Sequence, residues 1–165
     1  MRVILERSNL LKSLNHVHRV VERRNTIPIL SNVLLVASGA SLEMKATDLD
    51  LEVTEATAAN VEQAGATTVP AHLLYDIVRK LPDGAEVMLK LDESGNFVSV
   101  VSGRSSFRLQ SLPQADFPEL SAGSFSHIFR LDSQALKGLI EKTQFAISTE
   151  ETRYYLNGIF LHTHE

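Results

Sequence analysis

The sequence predicts an α+β fold built from a duplicated strand–helix–strands unit, followed by a second domain that stops early. Three observations carry this: apolar spacing that alternates between strand and helix periods, turn chemistry that punctuates the segments, and a distant internal match. Ser8-Asn9-Leu10-Leu11-Lys12-Ser13-Leu14 and Ile29-Leu30-Ser31-Asn32-Val33-Leu34-Leu35 reappear in outline as Ser133-Gln134-Ala135-Leu136-Lys137-Gly138-Leu139 and Tyr155-Leu156-Asn157-Gly158-Ile159-Phe160-Leu161, offset by 125 and 126 residues. That offset is too long for a solenoid repeat and close to the size of one domain. Residues 1–125 are therefore expected as one complete domain ending in a linker, and 126–165 as the incomplete start of a second.

Arg2–Leu5 alternates as a first strand. Ser8 or Asn9 caps a helix to about Val21, with Leu10, Leu11, Leu14, Val17 and Val21 at helical spacing. Pro28 forbids its continuation. Leu30–Val36 and Ser41–Ala46 read as strands around Ser38-Gly39, and Leu49–Ala58 as another. In the second unit an extended Thr67–Val69 leads through Pro70 into a helix over Ala71–Lys80. Its Leu73, Leu74, Ile77 and Val78 share a face with Leu81, and Pro82-Asp83-Gly84 ends it. Ala85–Leu91 and Asn96–Ser102 form a hairpin around Glu93-Ser94-Gly95, and Ser106–Ser111 is a last strand. Leu112–Phe125, with Pro113, Pro118 and Gly123, reads as a linker. His127–Leu131 then opens the next unit, followed by a helix capped by Asp132 or Ser133 to about Lys142 and a strand at Tyr154–Thr163.

At 165 residues and 44% hydrophobic, the chain has material for a packed core. No apolar run reaches the length of a membrane span, and the N-terminus lacks a signal-peptide core. The absence of cysteine excludes disulfides, thiolate zinc sites and cysteine nucleophiles. A net charge of −4 hides an uneven distribution. Residues 1–24 hold six basic against two acidic side chains, net +4, whereas 41–63 hold six acidic against Lys45 alone, net −5. One basic and one acidic surface are expected.

Lys12, His16, Arg19 and Arg23 fall at i, i+4, i+7 and i+11, one helix face opposite the leucines. Most charged stripes are solvated faces, but this one lacks interleaved acids inside an acidic chain. The second helix offers His72, Asp76 and Arg79 outward, the third Lys137 and Lys142. Such faces suit phosphate contact without base reading. Arg23-Arg24-Asn25 precedes Pro28, and Arg153-Tyr154-Tyr155 takes almost the same place in the second unit. A guanidinium beside phenol rings can hold a phosphate and stack on a base or sugar, although one tyrosine is expected to pack inward from a strand. Asp48, Asp50 and Glu52 would share a strand face, as a magnesium site requires; with no second ligand cluster, an exposed acidic face fits better. His162 and His164 lack a third ligand, and His16 and His18 do not face each other on a helix. No phosphate loop, nucleophile elbow or zinc spacing is present. Neither catalysis nor a cofactor is expected.

Six motifs occur in order: Arg24-Asn25-Thr26-Ile27-Pro28-Ile29-Leu30, Thr47-Asp48-Leu49, Gly65-Ala66-Thr67-Thr68-Val69-Pro70-Ala71, Ser102-Gly103-Arg104-Ser105, Leu112-Pro113-Gln114-Ala115-Asp116-Phe117-Pro118 and Arg153-Tyr154-Tyr155-Leu156-Asn157-Gly158. With them the chain resembles the bacterial DNA sliding clamp family, the beta subunit of DNA polymerase III, over its whole length. The resemblance implies the DNA-clamp fold, with helices on one face of antiparallel sheets. It implies three similar domains per subunit and a head-to-tail homodimer ring around double-stranded DNA. It further implies a non-catalytic, cytoplasmic processivity factor in DNA replication, whose partners are the DNA polymerase III subunits and the clamp loader, with no membrane. Basic helix faces would line the lumen, where loose phosphate attraction lets the ring slide.

By the same resemblance, Arg24 matches a DNA-contacting arginine, and Tyr154 and Tyr155 match DNA-contacting residues of the second domain. The charge pattern adds Lys12, Arg19, Arg23 and Arg153. His72 stands where the family often has arginine and Glu150 where it has a polar amide, departures that weaken contact there. Ile77, Phe107 and Leu109 fall at the expected dimer interface. Leu156 alone represents the peptide-binding cleft between the second and third domains. These 165 residues are therefore expected neither to close a ring nor to take clamp-recognition peptides with normal affinity. The alternative is a stand-alone α+β interaction module whose basic helix faces bind an acidic partner.

Overall fold

The computed structural model describes residues 1–23, 26–120 and 128–162. Its contacts divide the chain into two units, Met1–Ser121 and Ala122–Glu165. Among the described residues no helix is long and apolar enough to cross a membrane.

The first unit runs β1 (Arg2–Glu6), α1 (Arg7–Val17), β2 (Asn32–Ser38), β3 (Ser41–Thr47), β4 (Glu52–Ala58), β5 (Asn60–Gln63), β6 (Gly65–Pro70), α2 (Ala71–Lys80), β7 (Glu86–Leu91), β8 (Phe97–Ser102) and β9 (Ser105–Gln110). Its antiparallel sheets have the orders β5-β1-β7-β8-β9 and β4-β3-β2-β6. Strand side chains alternate across a sheet, so β1, β3, β7 and β8 bury every second residue. Val3, Val87, Leu89, Val98 and Leu109 of one sheet and Val33, Leu35, Leu42, Met44 and Val69 of the other enter one core. Leu10, Leu14 and Val17 of α1 and Leu74 and Val78 of α2 complete it. α1 packs on β4 and on α2.

β2 is covered on both faces, which departs from the simple alternation. Leu34 and Val36 meet Ile29, Leu30 and Phe117 in a second cluster. The start of the expected linker is thus part of the domain. Leu112 bridges Thr68 at the sheet edge, the Thr68 hydroxyl donates to the Leu112 carbonyl at 2.9 Å, and Phe117 is buried. Prolines gave the segment a linker's composition, but an apolar slot over β2 holds Phe117 there. Residues 121–125 of the expected linker lie outside the described residues.

Several boundaries also differ. α1 has no side-chain cap: it begins at Arg7, so Ser8 and Asn9 lie inside its first turn, where the Ser8 hydroxyl donates to the Glu6 carboxylate at 2.8 Å. Leu30 and Ser31 belong to a 3-10 turn, Pro28–Ser31, with Pro28 at its start. Residues 49–51 form a turn rather than strand: Asp48 Oδ1 accepts the amides of Asp50 at 3.0 Å and Leu51 at 2.7 Å, and Leu49 takes φ 83°. The short polar β5 lacks any apolar alternation and escaped the sequence reading. It pairs with β1. Leu73, expected on the buried face of α2, is 49% exposed.

In the second unit α3 (Ser133–Thr143) is capped as expected: Asp132 Oδ1 accepts the amides of Gln134 and Ala135 at 3.0 Å each. The expected strands are absent among its described residues. Residues 128–131 carry none, and Glu151–Leu156 is two short 3-10 turns joined by a kink at Arg153. A strand needs a neighbouring ladder for its backbone groups, and residues 128–162 contain no strand to supply one. His127 and Thr163 lie outside the described residues. Leu136, Leu139, Ile140, Ile159 and Phe160 line an open cavity of about 520 Å³.

Candidate nucleic-acid interface

The basic stripe divides in two, because α1 ends before Arg19 and Arg23. The Leu14 carbonyl accepts both the His18 amide at 3.0 Å and His18 Nδ1–H at 2.7 Å. Beyond it, Arg19 bonds back to His16, Val20 to Val17 and Val21 to His18 in the tighter i→i+3 pattern, at 3.3–3.4 Å. Lys12, Arg19 and Arg23 are exposed and form no ion pair among the described residues. Arg24, the arginine matched by resemblance, lies outside the described residues.

His16 does have an acid partner, which the sequence spacing hid. Its Nδ1 lies 2.7 Å from Glu55 Oε1 of β4. Glu55 is registered opposite buried Met44, so it faces the side of the sheet that α1 covers. Glu52 pairs with Lys45 at 3.2 Å and Glu62 with Arg2 at 2.8 Å. The acidic and basic segments are therefore partly neutralised against each other. Asp48, Asp50 and Glu52 do not share a strand face, since only Glu52 is in a strand. The described residues hold no group of three His, Asp or Glu placed for a metal ion.

His72, expected to point outward, is half-buried and turned toward the α1 turn. Its Nε2 lies 2.7 Å from the Val21 carbonyl, and its Nδ1 is buried without a partner. The His18 ring meets His72 edge-on at 5.6 Å and stacks on Tyr75 at 3.9 Å with the planes 7° apart. Burial holds His18 below its ordinary pKa of 6.5, and charge on His72, Arg19 and Arg23 adds to this against the Leu14 hydrogen bond. On the same helix Arg79 pairs with Asp76 at 3.2 Å and lies 5.6 Å from the Tyr75 centroid.

In the second unit Arg153 Nε lies 2.8 Å from Glu150 Oε2, so the two expected contact residues occupy each other. Tyr154 and Tyr155 meet edge to face at 5.7 Å and are 79% and 71% exposed. Neither packs inward, because the segment is a pair of 3-10 turns and not a strand. Leu156 is also exposed, and Lys137 pairs with Glu141 at 3.7 Å.

Of the expected interface residues, Leu109 is a core side chain of the first unit, 2% exposed. Phe107 is 40% exposed and Ile77 nearly buried. They line a shallow cavity of about 250 Å³ with Leu73 and Leu81. Leu73, which helical spacing placed with the core, is exposed at the same cavity as Phe107, a placement legible only in three dimensions.

A family model described as DNA polymerase III beta subunit, N-terminal domain, matches residues 1–121, and one described as the central domain matches residues 130–165. The Beta sliding clamp of Caulobacter vibrioides (strain NA1000 / CB15N) is 53% identical over 163 residues, covering 99% of this chain and 44% of its own length. That of Escherichia coli (strain K12) is 42% identical over 164 residues, with the same shares covered. A DNA polymerase III subunit beta sliding clamp from Bartonella birtlesii bound to griselimycin matches with TM-score 0.93 and 61% identity, covering 100% of this chain and 44% of that one. The α+β sheets and helices are those of the sliding-clamp fold. This chain spans less than half the length of these relatives.

Proposed function

The chain belongs to the DNA polymerase III beta-subunit family, and from that premise we propose that it forms part of a sliding clamp on duplex DNA. The observation that carries the reading is a set of exposed cations without acid partners among the described residues, Lys12 on α1 and Arg19 and Arg23 beyond its end. They suit loose phosphate attraction, which holds DNA without reading its sequence. Arg24, Tyr154 and Tyr155 extend the contact. Residues 1–125 act as the first clamp domain and 126–165 as the start of the second. Phe107, with Leu73 and the rim of Ile77, offers the surface for a second subunit in a homodimer ring. The role is non-catalytic and cytoplasmic: the ring tethers DNA polymerase III, and the polymerase subunits and clamp loader are its partners.

The test is fluorescence anisotropy with labelled duplexes of unrelated sequence across a salt series. Binding that is indifferent to sequence and steeply salt-dependent is expected, and no binding at low salt would overturn the reading. A polypeptide of these 165 residues is further expected not to stay on closed circular DNA at high salt. Retention that is lost when the circle is cut would contradict this.

A further inference from the structure

The segment that carries Arg19 and Arg23 is tied to α2 by side chains whose role is not contact with DNA. We propose that His72 is a positioning residue: by holding the Val21 carbonyl, it fixes the turn that presents Arg19 and Arg23 to DNA phosphates. The inference rests on the DNA contact proposed above.

After the His18 amide, which still reaches Leu14 at 3.0 Å, the backbone amides of Arg19, Val20 and Val21 make long i→i+3 bonds of 3.3–3.4 Å. The His72 bond to Val21 is much shorter, at 2.7 Å. A carbonyl only accepts, so His72 Nε2 carries the hydrogen and donates it. Nδ1 is buried with no partner. Neither nitrogen is therefore offered to a phosphate, which separates this role from the direct contact that the position suggested. Tyr75 lies three residues after His72 on the same face of α2 and stacks on His18 at 3.9 Å. Two α2 side chains thus grip the turn at its start and at its end, with Arg19 directly after His18 and Arg23 two residues after Val21. An arginine on a turn that is already ordered loses less freedom when it meets a phosphate.

The test compares His72→Leu with His72→Gln, which keeps a donor of similar reach. Duplex affinity is expected to fall about three- to tenfold in His72→Leu, the range of one neutral hydrogen bond, and to stay near wild type in His72→Gln. Amides 18–23 should exchange faster in His72→Leu alone. In an Arg19→Gln/Arg23→Gln background, His72→Leu should cost no further affinity. An equal loss in that background would mean direct contact, and unchanged exchange with unchanged affinity would mean no positioning; either overturns the proposal. Where His72→Leu fails to fold, Tyr75→Leu is read against Tyr75→Phe by the same two measurements. A wild type that binds no duplex while exchange follows the expected pattern defeats the DNA reading and leaves the grip on the turn standing.

Discussion

His16 Nδ1 lies 2.7 Å from Glu55 Oε1, although 39 residues separate them. The contact joins the basic face of α1 to the acidic strand it packs on. Charge that looks segregated along the chain is coupled in the fold, and among the described residues of that region it leaves Lys12, Arg19 and Arg23 as cations without acid partners. The pair is partly exposed on both sides, at 49% and 33%. Its effect is then mainly on the field that a phosphate meets, with little effect on stability.

Glu55→Gln should therefore shift stability by less than about 1 kcal/mol while raising duplex affinity at low salt. The gain should fade as salt shortens the screening length from about 10 Å at 0.1 M to about 3 Å at 1 M. Chemical denaturation and anisotropy at three salt concentrations measure both. An affinity gain that persists at high salt would point to a changed contact instead of a changed field.

Replacing Lys12, Arg19 and Arg23 by glutamine, singly and together, should flatten the salt dependence of binding. Each lost phosphate contact removes about 0.9 from the slope of log K against log salt. Affinity should fall alike for all duplex sequences. A loss confined to one sequence would mean base reading, which phosphate contact does not provide.

Much of the fold was legible because burial imposes a period. Leu42, Met44 and Ala46 alternate along β3, and Ala71–Lys80 forms α2 with the predicted bounds. Periodicity is less informative about ends. Val21 keeps helical spacing and is buried, yet it lies beyond the helix, since the turn after Val17 also brings it inward. Tyr154–Thr163 looked like a strand through its likeness to β2, but β2 has β3 and β6 to pair with. The site was legible as a charge pattern. Its couplings, His16 to Glu55 and His72 to Val21, cross 39 and 51 residues and leave no trace in local spacing.

Phe117 tests the reassigned linker. It is 5% exposed against Ile29, Leu30 and Leu34, so Phe117→Ala should cost about 3–5 kcal/mol, as truncations of a buried phenylalanine do. Urea unfolding followed by circular dichroism measures this. A change under about 0.5 kcal/mol, the usual range for surface substitutions, would return the segment to the status of a free tether.

His18 gives the fold an acid-sensitive point. Its pKa lies below the ordinary 6.5 in the folded chain, mainly through burial, with charge on His72, Arg19 and Arg23 adding. The unfolded chain therefore binds this proton more readily, and stability rises with pH through the window. The contribution is complete above about 6.5 and is lost as pH falls through the lower folded value. His18→Phe keeps a ring to stack on Tyr75, which sits 3.9 Å away, and removes the proton. Its stability should fall less between pH 7 and pH 5 than that of the wild type, with the remaining histidines common to both. Parallel stability curves over that interval would show that His18 charges without cost in the fold, and that burial against α2 is not what sets its titration.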